Sequence, residues 1–341
     1  NRPHWEVSNM KKLFTGALTA LALAVTGALA TGPASADDFS PAIVFDMGGK
    51  FDKSFNEAAY NGAERFKSES GVTYREFEVT NPSQREQAMR NMARRGATVI
   101  IAMGFAQAAA VETVAKEFPD IKFTLIDMVV DLPNVQSVIF KEHEGSFLVG
   151  MAAALASKTG KVGFIGGMDI PLIRKFALGY VEGAKYVNAD IEVYQNMTGT
   201  TPSAWNDPTK GGELARSQFD RGADVVYAAA GGTGVGVYQA AKDAGKLAIG
   251  VDSNQNYMHP GTMLTSMVKR VDVAVYEAFM TAKNGTWQGG FKILGLAEDG
   301  VGFALDKYNR DLVSADMEMK IEAARKDIIS GKVEVTDYMA Q

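Results

Sequence analysis

Cysteine is absent from the 341 residues of this chain. Neither a disulfide framework nor a thiolate metal site is therefore available, and the folded state must be stabilised by ordinary apolar cores. A lipid anchor attached through a cysteine is excluded for the same reason. The histidines of the main part of the chain, His143 and His259, have no carboxylate at helical ligand spacing. We therefore predict no metal site and no cofactor, and expect a solvated or capping role for each histidine.

Basic residues are outnumbered: 35 Lys and Arg stand against 40 Asp and Glu, a formal net charge of −5. They form no stripe, and binding to nucleic acid requires clustered Lys and Arg, so we predict no nucleic-acid partner.

Only one long apolar run is present, Leu13 to Leu29. It follows Met10-Lys11-Lys12 and precedes Ala34-Ser35-Ala36, which is the pattern of a secretory signal peptide. A transmembrane anchor is the alternative, but the threonines and glycines of the run leave it barely at the roughly 20 apolar residues that a span needs. We expect residues 1–36 to be an N-terminal extension and a cleaved signal peptide. Their removal takes away three basic residues and one acidic residue, leaving 32 and 39 and a net charge of −7.

The remaining chain alternates between strand-like and helix-like patterns, and its length favours two lobes over one core. Near-continuous apolar strands between amphipathic helices predict parallel sheets covered on both faces, an α/β class. The predicted strands are Ile43–Phe45, Tyr74–Val79, Thr98–Ala102, Lys122–Ile126, Val162–Ile165, Glu192–Gln195, Asp224–Ala228 and Leu247–Val251. The predicted helices include Asn56–Lys67, Ser83–Arg94, Ala106–Lys116, Ser146–Ser157 and Val235–Ala244.

An internal repeat supports two similar lobes. Arg95-Gly-Ala-Thr-Val-Ile-Ile-Ala102 recurs as Arg221-Gly-Ala-Asp-Val-Val-Tyr-Ala228. Upstream, Phe55 and a following Gly-Ala pair recur as Phe176 and a second Gly-Ala pair. Helix-to-strand turns often contain such residues by chance, but two echoes in the same order favour lobes that face each other across a cleft.

The segment from Ala42 to Gly62 is the most informative in the chain. An apolar run ends at Asp46, a glycine turn follows, and a helix opens around Phe55 and Asn56. In an open α/β sheet these three side chains meet at the carboxyl edge of a strand, where ligands bind. A second glycine-rich loop, Gly231-Gly-Thr-Gly-Val-Gly236, misses the dinucleotide and Walker spacings, so we expect Gly231 to let backbone approach a ligand or to form a simple turn.

The Asp-x8-Phe-Asn spacing of the first segment resembles the first ligand loop of the basic membrane protein family, the nucleoside-binding extracytoplasmic receptors of ABC importers. Further similar segments cover essentially the whole chain after residue 36. They are Gly163–Phe176, Trp205–Pro208, Gly245–Gln255 and Leu264–Asp272. The resemblance implies a two-lobed periplasmic-binding-protein fold of type I, each lobe a doubly wound parallel sheet, and a purine nucleoside as the ligand.

For lobe boundaries we predict residues 37–143 plus 258–296 in lobe 1 and residues 144–257 plus 297–341 in lobe 2. The cleft between them would hold the ligand. Hinges are expected near Lys141–Glu144, Asn256–Pro260 and Gly295–Gly300. Closure of the lobes would create the surface that an inner-membrane ABC permease recognises, and we expect a monomer.

The predicted ligand site combines flat rings, acids and one lysine. Rings would stack on a base, Asp46 and Asp127 would accept base N–H groups or hold neighbouring amides, and the resemblance assigns Asp252 and Lys269 to the ribose. Each aspartate has an alternative role as a helix N-cap, and each phenylalanine an alternative place in the core. The predicted ligand-binding residues are Asp46, Phe55, Asn56, Asp127, Phe176, Trp205, Gly231, Asp252 and Lys269.

Three other functions compete with nucleoside import. A sugar or other small-metabolite receptor of the same fold would show fewer than two rings at the cleft, and a signalling receptor would present its ligand to a membrane sensor. An exported hydrolase is suggested by Ser266-Met-Val-Lys269, Ser54-Phe-Asn56 and Lys158-Thr-Gly160, which match penicilloyl-serine transferase motifs but in inverted order. We predict a binding protein and no enzyme. Many members of the family are lipoproteins, so the missing cysteine departs from the pattern and favours a Gram-negative periplasm.

Overall fold

The structure is a computed structural model that describes residues 39–340. The predicted signal peptide lies outside the described residues. The strands are β1 (Pro41–Phe45), β2 (Arg75–Glu78), β3 (Val99–Met103), β4 (Lys122–Ile126), β5 (Val135–Phe140), β6 (Lys161–Met168), β7 (Glu192–Gly199), β8 (Val225–Ala229), β9 (Leu247–Asp252), β10 (Met263–Lys269), β11 (Gly290–Leu294) and β12 (Val301–Phe303). The helices are α1 (Phe55–Ser70), α2 (Gln84–Arg94), α3 (Ala108–Glu117), α4 (Glu142–Ala156), α5 (Pro171–Val187), α6 (Pro208–Asp220), α7 (Gly234–Asp243), α8 (Val271–Lys283) and α9 (Ala315–Ile329).

The strands form two six-stranded sheets of the same design. The first has the order β11-β5-β4-β3-β1-β2, and all its pairs are parallel. The second has the order β12-β10-β9-β8-β6-β7, and only its β10–β12 pair is antiparallel. Each strand of one sheet thus has a counterpart in the other, and the predicted α/β fold with two doubly wound sheets is confirmed.

Helices cover both faces of each sheet because the central strands are apolar on both faces. In the first sheet, Val44 and Ile100 pack toward α2 and α3, whereas Ile43 and Ile101 belong to the core that contains α1 and α8. In the second sheet, α6 and α7 cover one face, and α4 and α5 pack on the other. Among the described residues no helix is both long and apolar enough to cross a bilayer.

The pairing of β10 differs from the predicted lobe boundary. We assigned residues 258–296 to lobe 1, but β10 is hydrogen-bonded to β9 and belongs to the second sheet. Only α8 and β11 from that range join the first sheet, where α8 packs on α1 and β11 pairs with β5. The difference arises because the apolar pattern of Met263–Val268 predicts a strand but contains no local signal for the sheet that this strand enters.

The chain passes between the sheets at three places. These are the β5–α4 junction, the β10–α8 junction and the segment between β11 and β12. They lie side by side, since Lys141 N donates to Leu294 O over 2.9 Å and Arg270 N donates to Gly300 O over 2.8 Å. Two of the three predicted hinge segments coincide with these junctions, and the middle junction lies after Lys269 rather than at Asn256–Pro260.

Candidate functional site

A cavity with a volume of about 80 Å³ lies between the carboxyl edges of the two sheets. All nine residues that we predicted for the site line this cavity. The same wall also contains residues that we did not predict, namely Met47, Asp52, Gly104, Phe105, Leu172, Ile173, Ala229, Ala230 and Val251.

Asp52 organises the first wall by capping α1. Its carboxylate accepts hydrogen bonds from the backbone N–H groups of Ser54, Asn56 and Glu57 at 2.8, 3.0 and 3.1 Å. Burial raises the pKa of Asp52 to about 7, although these N–H groups oppose the shift. The sequence contained a signal for this residue, because an aspartate just before a helix is a typical N-cap. The sequence suggests that capping role for Asp46, which precedes Asp52 in the same loop.

Asp46 instead forms an ion pair. Its Oδ1 lies 2.9 Å from Nη2 of Arg85, a residue of α2. Burial raises the pKa of Asp46, and the guanidinium of Arg85 opposes that shift. The backbone carbonyl of Asp46 accepts from Asn56 Nδ2 over 3.1 Å, and Gly49 O accepts from the same amide over 3.2 Å. Asn56 Oδ1 is buried and has no hydrogen-bond partner among the described residues, so it is an acceptor available at the cavity wall.

Lys269 is the centre of a buried group of charges. Its Nζ lies 2.7 Å from Asp127 Oδ2 and 2.9 Å from Glu142 Oε1, and Glu142 Oε2 lies 3.0 Å from Lys175 Nζ. Burial opposes the charge of Lys269, but the carboxylates of Asp127, Glu142 and Asp252 outweigh it and raise the pKa of the lysine. Burial likewise raises the pKa of Asp127 against the effect of Lys269. Asp127 Oδ1 has no partner among the described residues.

Asp127 and Asp252 occupy equivalent places in the two sheets. Asp127 follows β4, Asp252 ends β9, and both adopt left-handed backbone conformations, with φ of 72° and 63°. Such φ values are uncommon outside glycine and are tolerated best by Asn and Asp. Asp252 accepts a hydrogen bond from the hydroxyl of Ser54, and burial raises its pKa. The side-chain partners of these aspartates are Lys269 and Ser54, so neither serves as the helix cap that we considered as an alternative.

Two phenylalanines flank the ammonium of Lys269 from different lobes. Its Nζ lies 5.2 Å from the ring centroid of Phe55 on α1 and 5.6 Å from that of Phe176 on α5. A third ring, that of Phe140, lies 5.1 Å away. Phe55 is half-buried whereas Phe176 is almost fully buried. The two phenylalanines of the internal repeat therefore lie at the same cavity, as the sequence predicted.

Trp205 is held by close glycine contacts rather than exposed on a loop. It ends a short 3₁₀ helix, Pro202–Trp205, and is half-buried. A Cβ atom at Gly167 would lie only 2.2 Å from the indole, and a Cβ at Gly231, where φ is 57°, would lie 3.2 Å from Trp205 O. A larger side chain at Gly167 would therefore displace the ring. The polar loop around Trp205, residues 203–208, predicts an exposed platform, but the structure makes the ring a fixed wall of the cavity.

Two other sequence interpretations change with the structure. His143, expected to be solvated or capping, is buried in the first turn of α4, and its Nδ1 has no partner among the described residues. Ser266 of the penicilloyl-serine motif is fully buried in β10, where its hydroxyl bonds to Asn256 Oδ1 and accepts from Gln255 N. It does not line the cavity, so no nucleophile arrangement forms there from the predicted motif. The sequence analysis did not predict Glu142 as a member of the buried group of charges, because its partners are distant in the sequence.

The charges of the cavity limit the ligands that it can accept. Its wall contains four carboxyl groups, those of Asp46, Asp52, Asp127 and Asp252, and one ammonium, that of Lys269. This ammonium is already paired with carboxylates. An anionic ligand would be repelled, whereas a neutral ligand rich in N–H and O–H donors would satisfy buried acceptors. The described residues contain no group of three or more His, Cys, Asp or Glu arranged to hold a metal ion.

Comparisons with known proteins agree on the kind of protein. A family model, Bmp, described as ABC transporter substrate-binding protein PnrA-like, matches residues 39–338. A protein of Lactococcus lactis named as an ABC transporter nucleoside-binding protein is 34% identical, over 87% of this chain and 89% of the relative. An uncharacterised lipoprotein of Pyrococcus horikoshii is 36% identical, over 86% of this chain and 74% of the relative. A crystal structure of an ABC transporter solute-binding protein from Aeropyrum pernix K1 superposes with a TM-score of 0.81, at 30% identity, covering 89% of this chain and 96% of that chain.

Proposed function

Since this chain belongs to the Bmp family of PnrA-like ABC transporter substrate-binding proteins, we propose that it captures a purine nucleoside between its two lobes and delivers it to an ABC permease. The observation that carries the proposal is the composition of the cavity wall, which combines aromatic rings from both lobes with buried acceptors and one lysine. The relative from Lactococcus lactis supports the ligand class through its name.

The base would occupy the space between the rings. Phe55, Phe176 and Trp205 line the cavity, and Phe105 adds a fourth ring. Stacking on an aromatic side chain contributes ~1–3 kcal/mol per base. A sugar receptor would show fewer than two such rings, so the wall favours a heterocycle over a free sugar.

The acceptors without partners would recognise the edge of the base. Asn56 Oδ1 and Asp127 Oδ1 are buried and unpaired among the described residues. Leaving a buried acceptor unpaired costs ~1–3 kcal/mol, so a ligand that supplies N–H donors gains at both positions. The N–H groups of a purine are donors of this kind.

The ribose would contact the part of the cavity wall that includes Asp252 and Lys269. Asp252 ends β9 and can accept from ribose hydroxyl groups, while Lys269 at the end of β10 can donate to a sugar oxygen. The same acids would refuse a nucleotide, because a phosphate would meet four carboxyl groups and a lysine that is already paired. We therefore expect nucleosides to bind and nucleoside monophosphates to be rejected.

Membership of the transporter family supports delivery to a permease and a location outside the cytoplasm. A substrate-binding protein of this kind works outside the cytoplasm, and closure of the lobes would present a surface to the permease. The relative from Pyrococcus horikoshii is named a lipoprotein, whereas this sequence has no cysteine to carry a lipid. We therefore propose a periplasm that retains a free, monomeric receptor.

Isothermal titration calorimetry of the purified protein with inosine, guanosine, adenosine, ribose and inosine monophosphate tests the proposal. Nucleosides should bind, ribose should bind far more weakly, and the monophosphate should show no heat of binding. Chromatography of the ligand after incubation should recover it intact. Binding of ribose as tight as that of any nucleoside would instead indicate a sugar receptor, and turnover would indicate an enzyme.

A further inference from the structure

Direct hydrogen bonds join the two lobes beside the cavity. The hydroxyl of Ser54, at the start of α1, donates to Asp252 Oδ2 at the end of β9. Ser253 Oγ donates to Ser54 O over 3.1 Å, and Gln255 Nε2 donates to Lys53 O over 2.8 Å. We call Ser54, Ser253 and Gln255 the inter-lobe latch.

The latch is pre-organised on its second-lobe side. Gln255 is fully buried, and its Oε1 accepts from Val251 N and from the hydroxyl of Tyr238, both over 2.8 Å. These two bonds fix the side-chain amide and direct Nε2 at the first lobe. Ser54 is also fully buried, and the bond of its hydroxyl to Asp252 is therefore shielded from water when the lobes are together. Buried polar groups with this many partners are costly to separate.

Asp252 connects the latch to the ligand space. Of the residues in these contacts, Asp252 lines the cavity, whereas Ser54, Ser253 and Gln255 do not. A ligand that bonds to the Asp252 carboxylate therefore contacts a group that the opposite lobe also holds. The latch bonds exist only when the loop before α1 meets the loop after β9.

We propose that Ser54 and Gln255 are positioning residues: Ser54 orients the Asp252 carboxylate, and both residues hold the lobes closed on a bound nucleoside. This inference rests on the proposed function. Because the bonds require the two lobes to be together, they stabilise the closed form without contributing to the first encounter with the ligand. Their loss should therefore raise the dissociation rate and leave the association rate nearly unchanged.

Two variants remove the latch in different ways. Ser54→Ala deletes the donor to Asp252. Gln255→Glu keeps an acceptor for Val251 and Tyr238 but replaces the donor to Lys53 O by an oxygen, so the closed form meets repulsion. Ser68→Ala, an exposed serine on the same helix, is the matched control.

Stopped-flow measurement of inosine binding and release gives the decisive readout. We expect inosine to dissociate about tenfold faster from each variant, with association rates within about twofold of wild type. Ser54→Ala loses a hydrogen bond to a charged group, and Gln255→Glu places an oxygen against the Lys53 carbonyl. The control should match wild type in both rates. A fall in the association rate alone, or unchanged dissociation in both variants, would overturn the latch.

X-ray scattering separates this inference from the proposed function. If the wild type binds no nucleoside, the proposed function fails, and the latch is then judged on the unliganded proteins. The radius of gyration of Gln255→Glu should exceed that of wild type because the lobes separate more often. Equal radii in that case would overturn the latch as well.

Discussion

The two lobes share one architecture but differ in chemistry. Their sheets have the same strand order, and the equivalent strands β4 and β9 lead into aspartates with left-handed backbones. Each aspartate is bonded by a side chain of the opposite lobe, Asp127 by Lys269 and Asp252 by Ser54. The partners differ, since one is an ammonium and the other a hydroxyl. Repetition of the fold thus positions equivalent groups, and the partner residue decides what each group does.

The difference arises at the strands next to these aspartates. In the first sheet β5 ends at Phe140, whereas its counterpart β10 ends at Lys269. The only cation on the cavity wall therefore comes from the second lobe, within the described residues. The helix starts differ as well: α1 is capped by the Asp52 carboxylate, while α5 begins with Pro171 and has no side-chain cap.

Replacing Lys269, the cation that the second lobe supplies, should have the largest effect on stability. Lys269→Met leaves Asp127 and Glu142 buried without their shared ammonium, and removal of one partner from a buried ion pair costs ~3–5 kcal/mol. Urea unfolding measures this loss of stability. Lys67→Met, an exposed lysine of α1, is the control and should stay within ~0.5 kcal/mol of wild type. A loss below ~1 kcal/mol for Lys269→Met would mean that the acids adopt other partners.

The two equivalent aspartates should affect different parts of the ligand. Asp252→Asn should weaken nucleoside binding by about 10- to 100-fold, because charge-assisted bonds to the ribose are lost, and should leave binding of the free base unchanged. Asp127→Asn should weaken nucleoside and free base alike. Calorimetry with inosine and hypoxanthine gives both ratios. Equal ratios for the two variants would show that the lobes do not divide base and sugar between them.

Asp52, which has no counterpart at the start of α5, should make the stability of the protein depend on pH. Its folded-state pKa of about 7 lies above its ordinary value of 3.8, so this group's contribution to stability is present at low pH and is lost as pH rises toward 7. Between pH 5 and pH 8 the loss amounts to about 2–3 kcal/mol. Asp52→Asn should reduce the difference between urea unfolding at these two pH values by that amount. Asp190→Asn, at an exposed turn, should leave it as in wild type, and an undiminished difference in Asp52→Asn would assign the pH dependence to other groups.

The two phenylalanines offer the finest test of equivalence. Phe55→Leu and Phe176→Leu should each weaken nucleoside binding by about fivefold or more, since leucine keeps volume but loses stacking. Phe176→Leu should also lower stability by about 1 kcal/mol because the ring is buried, whereas half-buried Phe55 should contribute less. Calorimetry and thermal unfolding separate these effects. Unchanged affinity in either variant would remove that ring from the site.

Local patterns were sufficient for much of the fold and for the candidate residues of the cavity. Apolar runs predicted eight strands that the structure contains, and the repeat of Phe55 as Phe176 predicted two rings on one cleft. Edge strands were missed where the pattern is weak, as in β11, whose residues Phe291 and Ile293 are exposed. Asp52 had a capping signal that was overlooked, whereas Glu142 had none.

The amino-acid order by itself determined the elements and their duplication, because the alternation of apolar runs with amphipathic helices, and the ends of those runs, are properties of neighbouring residues. Only the tertiary structure decided which sheet β10 joins and which partners the buried charges take. Asp127 and Lys269 are 142 residues apart, and Ser54 and Asp252 are 198 residues apart. Such pairings depend on how the two sheets meet in space, and no local pattern encodes that arrangement.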